Sequence, residues 1–294
     1  LIKKAITRKT KVIMPVDIAG WPCEYDEINK IVNNISVKSL FNAETKKQKV
    51  LGRILVVSDA AHSIGAIYNK LPSGKFTDIT IFSFHAVKNI TTAEGGAICI
   101  NLPESFNIIE EYELMKLYTL NGQNKDALTK SKDGGWRYDI LFAGLKINLP
   151  DLNAAIGLAQ LRKYNTYLIK ERKRVALLYN KFFEKYDFLQ LPPLKDIKRE
   201  SCYHLYALRI NGISDSQRDS IIKEITLLGV SVNVHFIPLP MLTLFKSMGY
   251  KIEDYPIGYD NYLREISLPI YPQLKNEEID YICKAIISSY KKVI

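Results

Sequence analysis

The apolar residues in the first third of the chain fall into short continuous runs with polar segments between them. Four of these runs predict β-strands: Val12–Val16, Ile54–Ser58, Ile79–Ser83 and Ala97–Ile100. The second and third runs are rich in β-branched residues, which is typical of parallel strands that are buried on both faces. A helical pattern over Glu27–Ile35 separates the first two runs. Strands that alternate with helices predict an α/β layer fold with a mainly parallel sheet.

A long helical pattern begins near the middle of the chain. Pro150 and Asp151 suit the first turn of a helix, and Leu152–Phe183 opens with apolar residues at helical spacing. Because this stretch is longer than an ordinary helix, we expect it to bend or break near Asn165.

The remaining pattern predicts a second, smaller domain of the α+β class. Its predicted elements are a strand over Tyr203–Ile210, a helix over Asp215–Leu228, a strand over Val230–Ile237 and a helix over Glu277–Tyr290. We therefore divide the chain into a large domain over residues 1–169 and a small C-terminal domain over residues 170–294. The sequence opens at Leu1 in the middle of an element, so we expect the N-terminal part of the large domain to lie outside it.

The composition is that of an ordinary globular protein, because 47% of the 294 residues are hydrophobic and 24% are charged. The net charge of +10 would attract nucleic acids, anionic membranes or phosphorylated small molecules. The basic residues are scattered without a basic-aromatic motif, and no window approaches the roughly 18 apolar residues of a membrane span. We expect a solvated basic surface and neither a nucleic-acid nor a membrane partner, with an anion-binding role left open.

The cysteines point away from metal and redox chemistry. Cys23, Cys99, Cys202 and Cys283 are far apart in the sequence and form no CxxC pair. We therefore expect no metal site. A reducing, cytoplasmic compartment is the simplest account of this cysteine usage.

A candidate chemical site lies at the carboxyl ends of two predicted strands. Asp59 directly follows Ile54–Ser58, Ser83 ends the next predicted strand, and Lys88 comes five residues later. Ligands in open α/β sheets bind outside the carboxyl ends of the strands, so Asp59 and Lys88 are expected at one edge. Two interpretations remain open from position alone. The pair is a simple ion pair, or it serves pyridoxal phosphate (PLP), whose chemistry needs a lysine amine and a carboxylate beside the pyridine nitrogen.

A family resemblance runs nearly from end to end of the chain and is carried by motifs in a fixed order. The motifs are Lys11–Val16, Gly20–Pro22, Asp59–His62, Ser83–Asn89, Glu94–Ala97, Asn153–Leu161, Tyr203–Tyr206, Val234–Pro238 and Ser267–Pro269. Together they resemble the DegT/DnrJ/EryC1/StrS sugar aminotransferases, which are fold-type I PLP enzymes. The resemblance implies the large domain of that fold and PLP as the cofactor.

The resemblance assigns a role to each residue at the predicted sheet edge. Lys88 forms the Schiff base with PLP and moves the proton, and Asp59 pairs with the pyridine nitrogen. Ser83 contacts the phosphate, and His62 lies near the ring and its phenolic oxygen. His62 equally suits a satisfied buried histidine. The family's phosphate-binding helix N-terminus and its ring-stacking aromatic residue would lie upstream of Leu1.

Four further residues receive roles from the resemblance. Asn148 belongs to a cofactor-binding loop that reaches the site of a partner subunit, which implies a homodimer with shared sites, and Lys146 in that loop would bind an anion. His85 and His235 are candidates for substrate contacts. Each has a structural alternative: Asn148 suits the start of the next helix, His85 a cap of the lysine turn, and His235 an exposed strand position.

The resemblance predicts a PLP-dependent transaminase. It would move an amino group from an amino acid, glutamate, to a nucleotide-linked keto sugar, a 4-keto-6-deoxy sugar, for polysaccharide biosynthesis. Sugar dehydratases of the family characteristically carry histidine at the position of Lys88, so the lysine favours amine transfer. A catalytically silent member that acts as a binding or regulatory subunit is another alternative, against which the intact set of Asp59, Ser83 and Lys88 argues.

Overall fold

The computed structural model describes residues 1–125 and 136–294, which form two compact units. The first unit comprises Leu1–Asp17, Pro22–Ile64 and Leu71–Arg162, and the second comprises Ile18–Trp21, Gly65–Lys70 and Lys163–Ile294. The division into domains at residues 169 and 170 stays a prediction.

Strands and helices alternate in the first unit, as the apolar pattern predicts. The strands are β1 (Val12–Ile13), β2 (Leu55–Asp59), β3 (Ile67–Tyr68), β4 (Leu71–Pro72), β5 (Ile79–Ser83), β6 (Gly96–Ile100), β7 (Leu189–Gln190), β8 (Arg199–Glu200), β9 (Tyr206–Ile210) and β10 (Glu265–Leu268). The α-helices are α1 (Ile2–Ala5), α2 (Tyr25–Asn33), α3 (Ile35–Lys38), α4 (Lys46–Leu51), α5 (Ile108–Thr119), α6 (Asp151–Lys163), α7 (Ile169–Phe183), α8 (Asp215–Leu227), α9 (Thr243–Ser247), α10 (Pro256–Leu263) and α11 (Asn276–Val293). None of the helices in the described ranges combines the length and the apolar character that crossing a bilayer requires.

The sheet of the first unit sets up the edge at which the candidate site lies. Within the described residues it has four strands in the order β1-β2-β5-β6. β1, β2 and β5 are parallel, whereas β6 pairs with β5 in the antiparallel sense. On one face, Ile28 and Val32 of α2 pack against Ile54 and Val56. The sheet is mainly parallel, as predicted.

The second unit has its own sheet and core. β7, β9 and β10 form an antiparallel sheet in the order β10-β9-β7, and the core around it contains Tyr179 of α7, Ile221 of α8 and Ile286 of α11. A capping box between Ser214 and Gln217 begins α8, because each side chain bonds to the backbone N–H of the other residue.

The long helical pattern is interrupted where we expect. α6 ends at Lys163, Tyr164–Leu168 form a π-helical turn, and α7 begins at Ile169. The ring of Tyr164 is buried against Gly65, where a Cβ would lie 2.5 Å from a ring carbon. The π-turn redirects the chain between two helices, which confirms the predicted break near Asn165.

The predicted strand over Val230–Ile237 is wrong. Asn233 forms an isolated bridge with Ser267, and the described segment forms no strand. The reason is that the backbone N–H of His235 donates to the Glu265 carboxylate at 2.9 Å, so this group is not used in a strand ladder. The strand predicted from Tyr203 starts at Tyr206 instead, because Tyr203 has a φ of 57°, which no strand contains.

Candidate active site

Asp59 and Lys88 lie at the same edge of the sheet in the first unit. Asp59 ends β2 and is paired with Ile81 of the parallel strand β5, which ends at Ser83. Lys88 follows in the loop after β5, where its amine feels the charge of Asp59. The two strands therefore bring together the carboxylate and the amine that the sequence singles out.

The surroundings of Lys88 change its acid–base behaviour. Its side chain is half-buried, and this burial lowers the pKa of the amine below its ordinary value. The carboxylate of Asp59 raises the pKa but does not cancel the effect of burial. A larger fraction of the amine is therefore neutral, and the neutral form is the nucleophile.

Backbone hydrogen bonds fix Asp59 from both sides. Its N–H donates to the carbonyl of Pro15 at 2.9 Å, and its carbonyl accepts from the N–H of Asp17 at 3.1 Å. One carboxylate oxygen accepts from the backbone N–H of Ala61 at 3.1 Å. The direction of the carboxylate is thus set by local structure.

His62 lies in the turn that follows Asp59. Its side chain is 8% exposed, and the turn is closed by a hydrogen bond from the N–H of Ser63 to the carbonyl of Ala60 at 3.0 Å. A buried imidazole three residues after Asp59 suits both a place beside a cofactor ring and a satisfied core histidine. The role of His62 stays a prediction.

The loop that carries Lys88 is closed at its base by backbone hydrogen bonds. The N–H of Phe84 donates to the carbonyl of Gly95, and the N–H of Thr92 donates to the carbonyl of Phe84, both at 2.9 Å. Inside the loop, the N–H of Lys88 donates to the carbonyl of His85 at 3.0 Å. These bonds restrict where the lysine side chain can begin.

Ser83 and His85 lie between the strand and the lysine. The half-buried Ser83 accepts a hydrogen bond at 3.3 Å from the N–H of His85, whose exposed ring lies 3.5 Å from the carboxylate of Glu94. The predicted phosphate contact of Ser83 and the predicted substrate contact of His85 remain predictions.

One face of α6 holds the lysine loop. The amide of Asn153 donates to the carbonyl of Thr92 at 2.6 Å, and the amide oxygen of Gln160 accepts from the N–H of Thr91 at 3.0 Å. Gly157 lies between them, and a Cβ there would come within 2.7 Å of Cγ2 of Thr92. Positions 153, 157 and 160 share a helix face. Our sequence analysis missed this role, although two amides one face apart on an apolar helix were a usable signal.

Lys146 and Asn148 are exposed, and the amine of Lys146 donates to Oδ1 of Asn148 at 2.5 Å. Asn148 lines an apolar cavity of about 900 Å³ together with Phe82 and Gly96. Their predicted contributions to a partner's site stay predictions.

His235 belongs to the second unit. It lines a cavity of about 320 Å³ together with Arg209 and Glu265. Nδ1 of His235 is 2.8 Å from Oγ of Ser267, and that hydroxyl donates to the Glu265 carboxylate at 2.5 Å. Burial raises the pKa of Glu265 to about 7, although hydrogen bonds from Ser267 and from the backbone of His235 oppose the rise. A polar cavity of this kind suits a substrate contact by His235, which remains a prediction.

Metal ligation finds no candidate here, since the described residues contain no group of three or more His, Cys, Asp or Glu side chains placed to hold an ion.

A carboxylate and an activated lysine at the carboxyl edge of a mainly parallel α/β sheet define an aminotransferase of the PLP-dependent class. The sequence profile of the DegT/DnrJ/EryC1/StrS aminotransferase family matches residues 1–45 and 47–287, and the chain belongs to this family. It is a PLP-dependent sugar aminotransferase, and the family predicted from the motifs is confirmed.

Solved structures confirm the fold. The chain is similar to the Streptococcus pneumoniae protein Spr1654, assigned as a sugar aminotransferase. The form of Spr1654 that holds pyridoxamine phosphate gives a TM-score of 0.94 at 40% identity, with 100% of this chain and 72% of the other covered. Its PLP form gives a TM-score of 0.93 at 38% identity. The fold-type I prediction and the cofactor prediction are therefore confirmed.

Two curated relatives have related names. The chain is 31% identical to the Bacillus subtilis spore coat polysaccharide biosynthesis protein SpsC, over 97% of this chain and 68% of SpsC. It is 28% identical to the Helicobacter pylori UDP-4-amino-4,6-dideoxy-N-acetyl-beta-L-altrosamine transaminase, over 99% of this chain and 68% of that enzyme.

Proposed function

We propose that this enzyme transfers an amino group from glutamate to a 4-keto-6-deoxy sugar that is attached to a nucleotide diphosphate. The observation that carries the proposal is the half-buried amine of Lys88 next to the carboxylate of Asp59 at one sheet edge. The names of the relatives support the acceptor class, because one is a transaminase of a UDP-linked 4-amino sugar and another acts in polysaccharide biosynthesis.

The residues at the sheet edge fit PLP. Lys88 holds the cofactor covalently and carries the proton to and from the substrate carbon, a role for which its lowered pKa suits it. Asp59 accepts a hydrogen bond from the protonated pyridine nitrogen, Ser83 binds the phosphate, and His62 lies against the ring. PLP, when bound, supplies an electron sink for the negative charge that develops when the proton leaves.

Substrate recognition is assigned to three other side chains. His85 stands exposed in the lysine loop, where a substrate can reach it. His235 lines the polar cavity of the second unit, and Lys146 offers a positive charge to an anionic group. A nucleotide diphosphate is such a group.

The enzyme acts as a homodimer with shared sites. The exposed loop of Lys146 and Asn148 would reach the site of the second subunit, where Asn148 contacts the cofactor. We place the enzyme in the cytoplasm, a proposal that the free thiols of all four cysteines support.

The test is product analysis with labelled donor. The full-length protein is incubated with PLP, ¹⁵N-glutamate and a panel of nucleotide-linked 3-keto and 4-keto sugars, and the products are identified by mass and NMR. We expect ¹⁵N at C4 of the 4-keto-6-deoxy sugar. The variant Lys88→Ala should lose this transfer, whereas Lys75→Ala, which removes an exposed lysine of the same unit, should keep it.

Other outcomes of this test contradict the proposal. Loss of water from the sugar without incorporation of ¹⁵N would identify a dehydratase. Sugar binding without any turnover would identify a silent member. Transfer by the Lys88→Ala variant would remove Lys88 from its role.

A further inference from the structure

Asp17 is a fully buried carboxyl group behind the sheet edge that carries Asp59. Its side chain is 0% exposed. It lies just after Val16, which forms a parallel bridge with Asp59, and its own N–H donates to the Asp59 carbonyl at 3.1 Å. The backbone of Asp17 is therefore coupled directly to that of Asp59.

Three hydrogen-bond donors converge on the Asp17 carboxyl group. The backbone N–H of Cys23 donates to Oδ1 at 2.8 Å. The hydroxyls of Tyr25 and Ser63 donate to Oδ2 at 2.5 Å and 2.7 Å. The oxygen of Tyr25 also lies 2.9 Å from Oγ of Ser58. One carboxyl group thus organises four polar groups away from water.

These contacts bracket the turn that carries the two predicted cofactor contacts. Ser58 comes immediately before Asp59, and Ser63 comes immediately after His62. Both serines are 0% exposed. A shift of the Asp17 carboxyl group would consequently move both ends of the Asp59–His62 turn.

The protonation states keep the direction of these hydrogen bonds fixed. Burial raises the pKa of Tyr25, and the charge of Asp17 raises it further, so the phenol keeps its proton and donates. Burial also raises the pKa of Asp17, while hydrogen bonds from Tyr25 and Ser63 oppose this rise. The donors compensate the burial of a carboxyl group that an apolar core would avoid.

We infer that Asp17 is a positioning residue for cofactor binding, which acts through Ser63 and through Tyr25 and Ser58 to hold the Asp59–His62 turn in place. The inference rests on the proposed contact between Asp59 and the pyridine nitrogen. An apolar residue at position 17 would leave buried hydroxyls without their acceptor, and the turn would relax toward other partners. Polar groups at the base of a site are expected where the geometry of the site must be held closely.

The test compares three variants by a readout that needs no substrate. Asp17→Asn keeps the shape but removes the negative acceptor, and Ser63→Ala removes one of its donors. Thr77→Val is the matched control, because Thr77 is also buried and bonds to Ile79 and Thr80, but at the amino end of β5. Each apoenzyme is titrated with PLP, and the visible spectrum of the bound cofactor is followed against pH, alongside thermal unfolding.

We expect Asp17→Asn to weaken PLP binding about tenfold, as the loss of one charge-assisted hydrogen bond predicts, and to shift the pH midpoint of the spectrum. Ser63→Ala should change both in the same direction by a smaller amount. Thr77→Val should lower the unfolding temperature without changing either readout. If Asp17→Asn does not fold, Ser63→Ala and Tyr25→Phe carry the test.

Two results overturn the inference. One is an unchanged dissociation constant and spectrum in Asp17→Asn, or in both substitute variants. The other is the same change in Thr77→Val, which would reduce the effect to stability. Asp59→Asn is measured in parallel. If that variant binds PLP with an unchanged spectrum, the proposed role of Asp59 fails first and the inference falls with it, whereas failure of Asp17→Asn alone leaves the proposed function standing.

Discussion

At the scale of single residues, Lys88 shows how surroundings make an ordinary side chain reactive. A lysine amine in water holds its proton at neutral pH and is a poor nucleophile. Partial burial lowers the pKa of Lys88, and the negative charge of Asp59 limits that fall. Before the cofactor binds, Asp59 therefore acts against the activation of the lysine, and it becomes favourable only when it faces a positive partner.

This balance predicts the effect of Asp59→Asn on the apoenzyme. Removing the negative charge removes the contribution that raises the pKa of Lys88, so the pKa should fall further. The measurement is the pH dependence of amine acylation at Lys88, followed by mass spectrometry. The midpoint should move to lower pH, while that of the exposed Lys75 in the same digest stays constant. An upward shift would contradict the assigned direction.

Glu265 predicts a pH dependence of stability in the second unit. Burial raises its pKa from 4.5 to about 7, so the folded state keeps a proton that the unfolded state releases between these values. The stabilisation is complete below pH 4.5 and is lost as the pH rises through about 7. Glu265→Gln should therefore gain stability relative to the wild type between pH 4.5 and pH 8, by about 3 kcal/mol at most.

Urea unfolding of both proteins at several pH values measures this difference. The exposed Glu253→Gln variant is the control and should follow the wild type at every pH. A difference between Glu265→Gln and the wild type that does not depend on pH would show that Glu265 ionises in the folded state as it does in water.

At the scale of elements, α6 works as a clamp on the lysine loop. Asn153 and Gln160 bond to the backbone of Thr92 and Thr91, and Gly157 lets that backbone approach the helix between them. The sequence motif of this helix is explained by these contacts, because an amide, a glycine and an amide recur on one helix face.

The clamp predicts that Gly157→Ala disturbs the lysine loop. The new Cβ would lie 2.7 Å from Cγ2 of Thr92, which is 1% exposed and has little room to move. We expect a loss of about 1–3 kcal/mol of unfolding free energy, together with a lower fraction of bound PLP. Thermal unfolding and cofactor content measure both.

Gly258→Ala is the matched control, since it also lies in a helix but its nearest neighbour would be 3.9 Å from the new Cβ. It should be neutral or stabilising by about 0.5–1 kcal/mol. Equal losses in the two variants would argue against a clamp at α6.

At the scale of the whole molecule, the segment before α6 exposes large apolar side chains. Trp136, Leu141, Leu145 and Ile147 are 69%, 55%, 61% and 63% exposed. Clustered apolar side chains of this kind mark interaction surfaces more often than free solvent-facing surface. They lie in the segment that carries Lys146 and Asn148, which supports the proposed contact with a second subunit.

Shared sites predict complementation between two inactive variants. One subunit carries Lys88→Ala, and the other carries Lys146→Glu with Asn148→Asp, which reverses the polarity of the loop. After co-refolding, half of the dimers are mixed, and each mixed dimer has one intact site. About a quarter of the wild-type activity should return. If each site were built from one chain, the mixture would stay inactive, and the dimer proposal with shared sites would be abandoned.

The local pattern predicted strands and helices well where one element follows one period. The strand at Ile79–Ser83 has the predicted bounds, and α8 ends within one residue of its prediction. The pattern failed at Val230–Ile237, where alternation is present but the Glu265 carboxylate takes a backbone donor. The contact joins residues 30 positions apart, which a local pattern does not contain.

The sequence by itself determined the family, the parallel strands and the identity of the reactive lysine and its carboxylate, because these depend on residue type and short spacing. Only the tertiary structure decided what surrounds them: the burial that lowers the pKa of Lys88, the grip of α6 on its loop and the buried Asp17 behind Asp59. The physical reason is that desolvation and hydrogen bonding depend on which distant residues come to lie around a group, and the fold alone sets that.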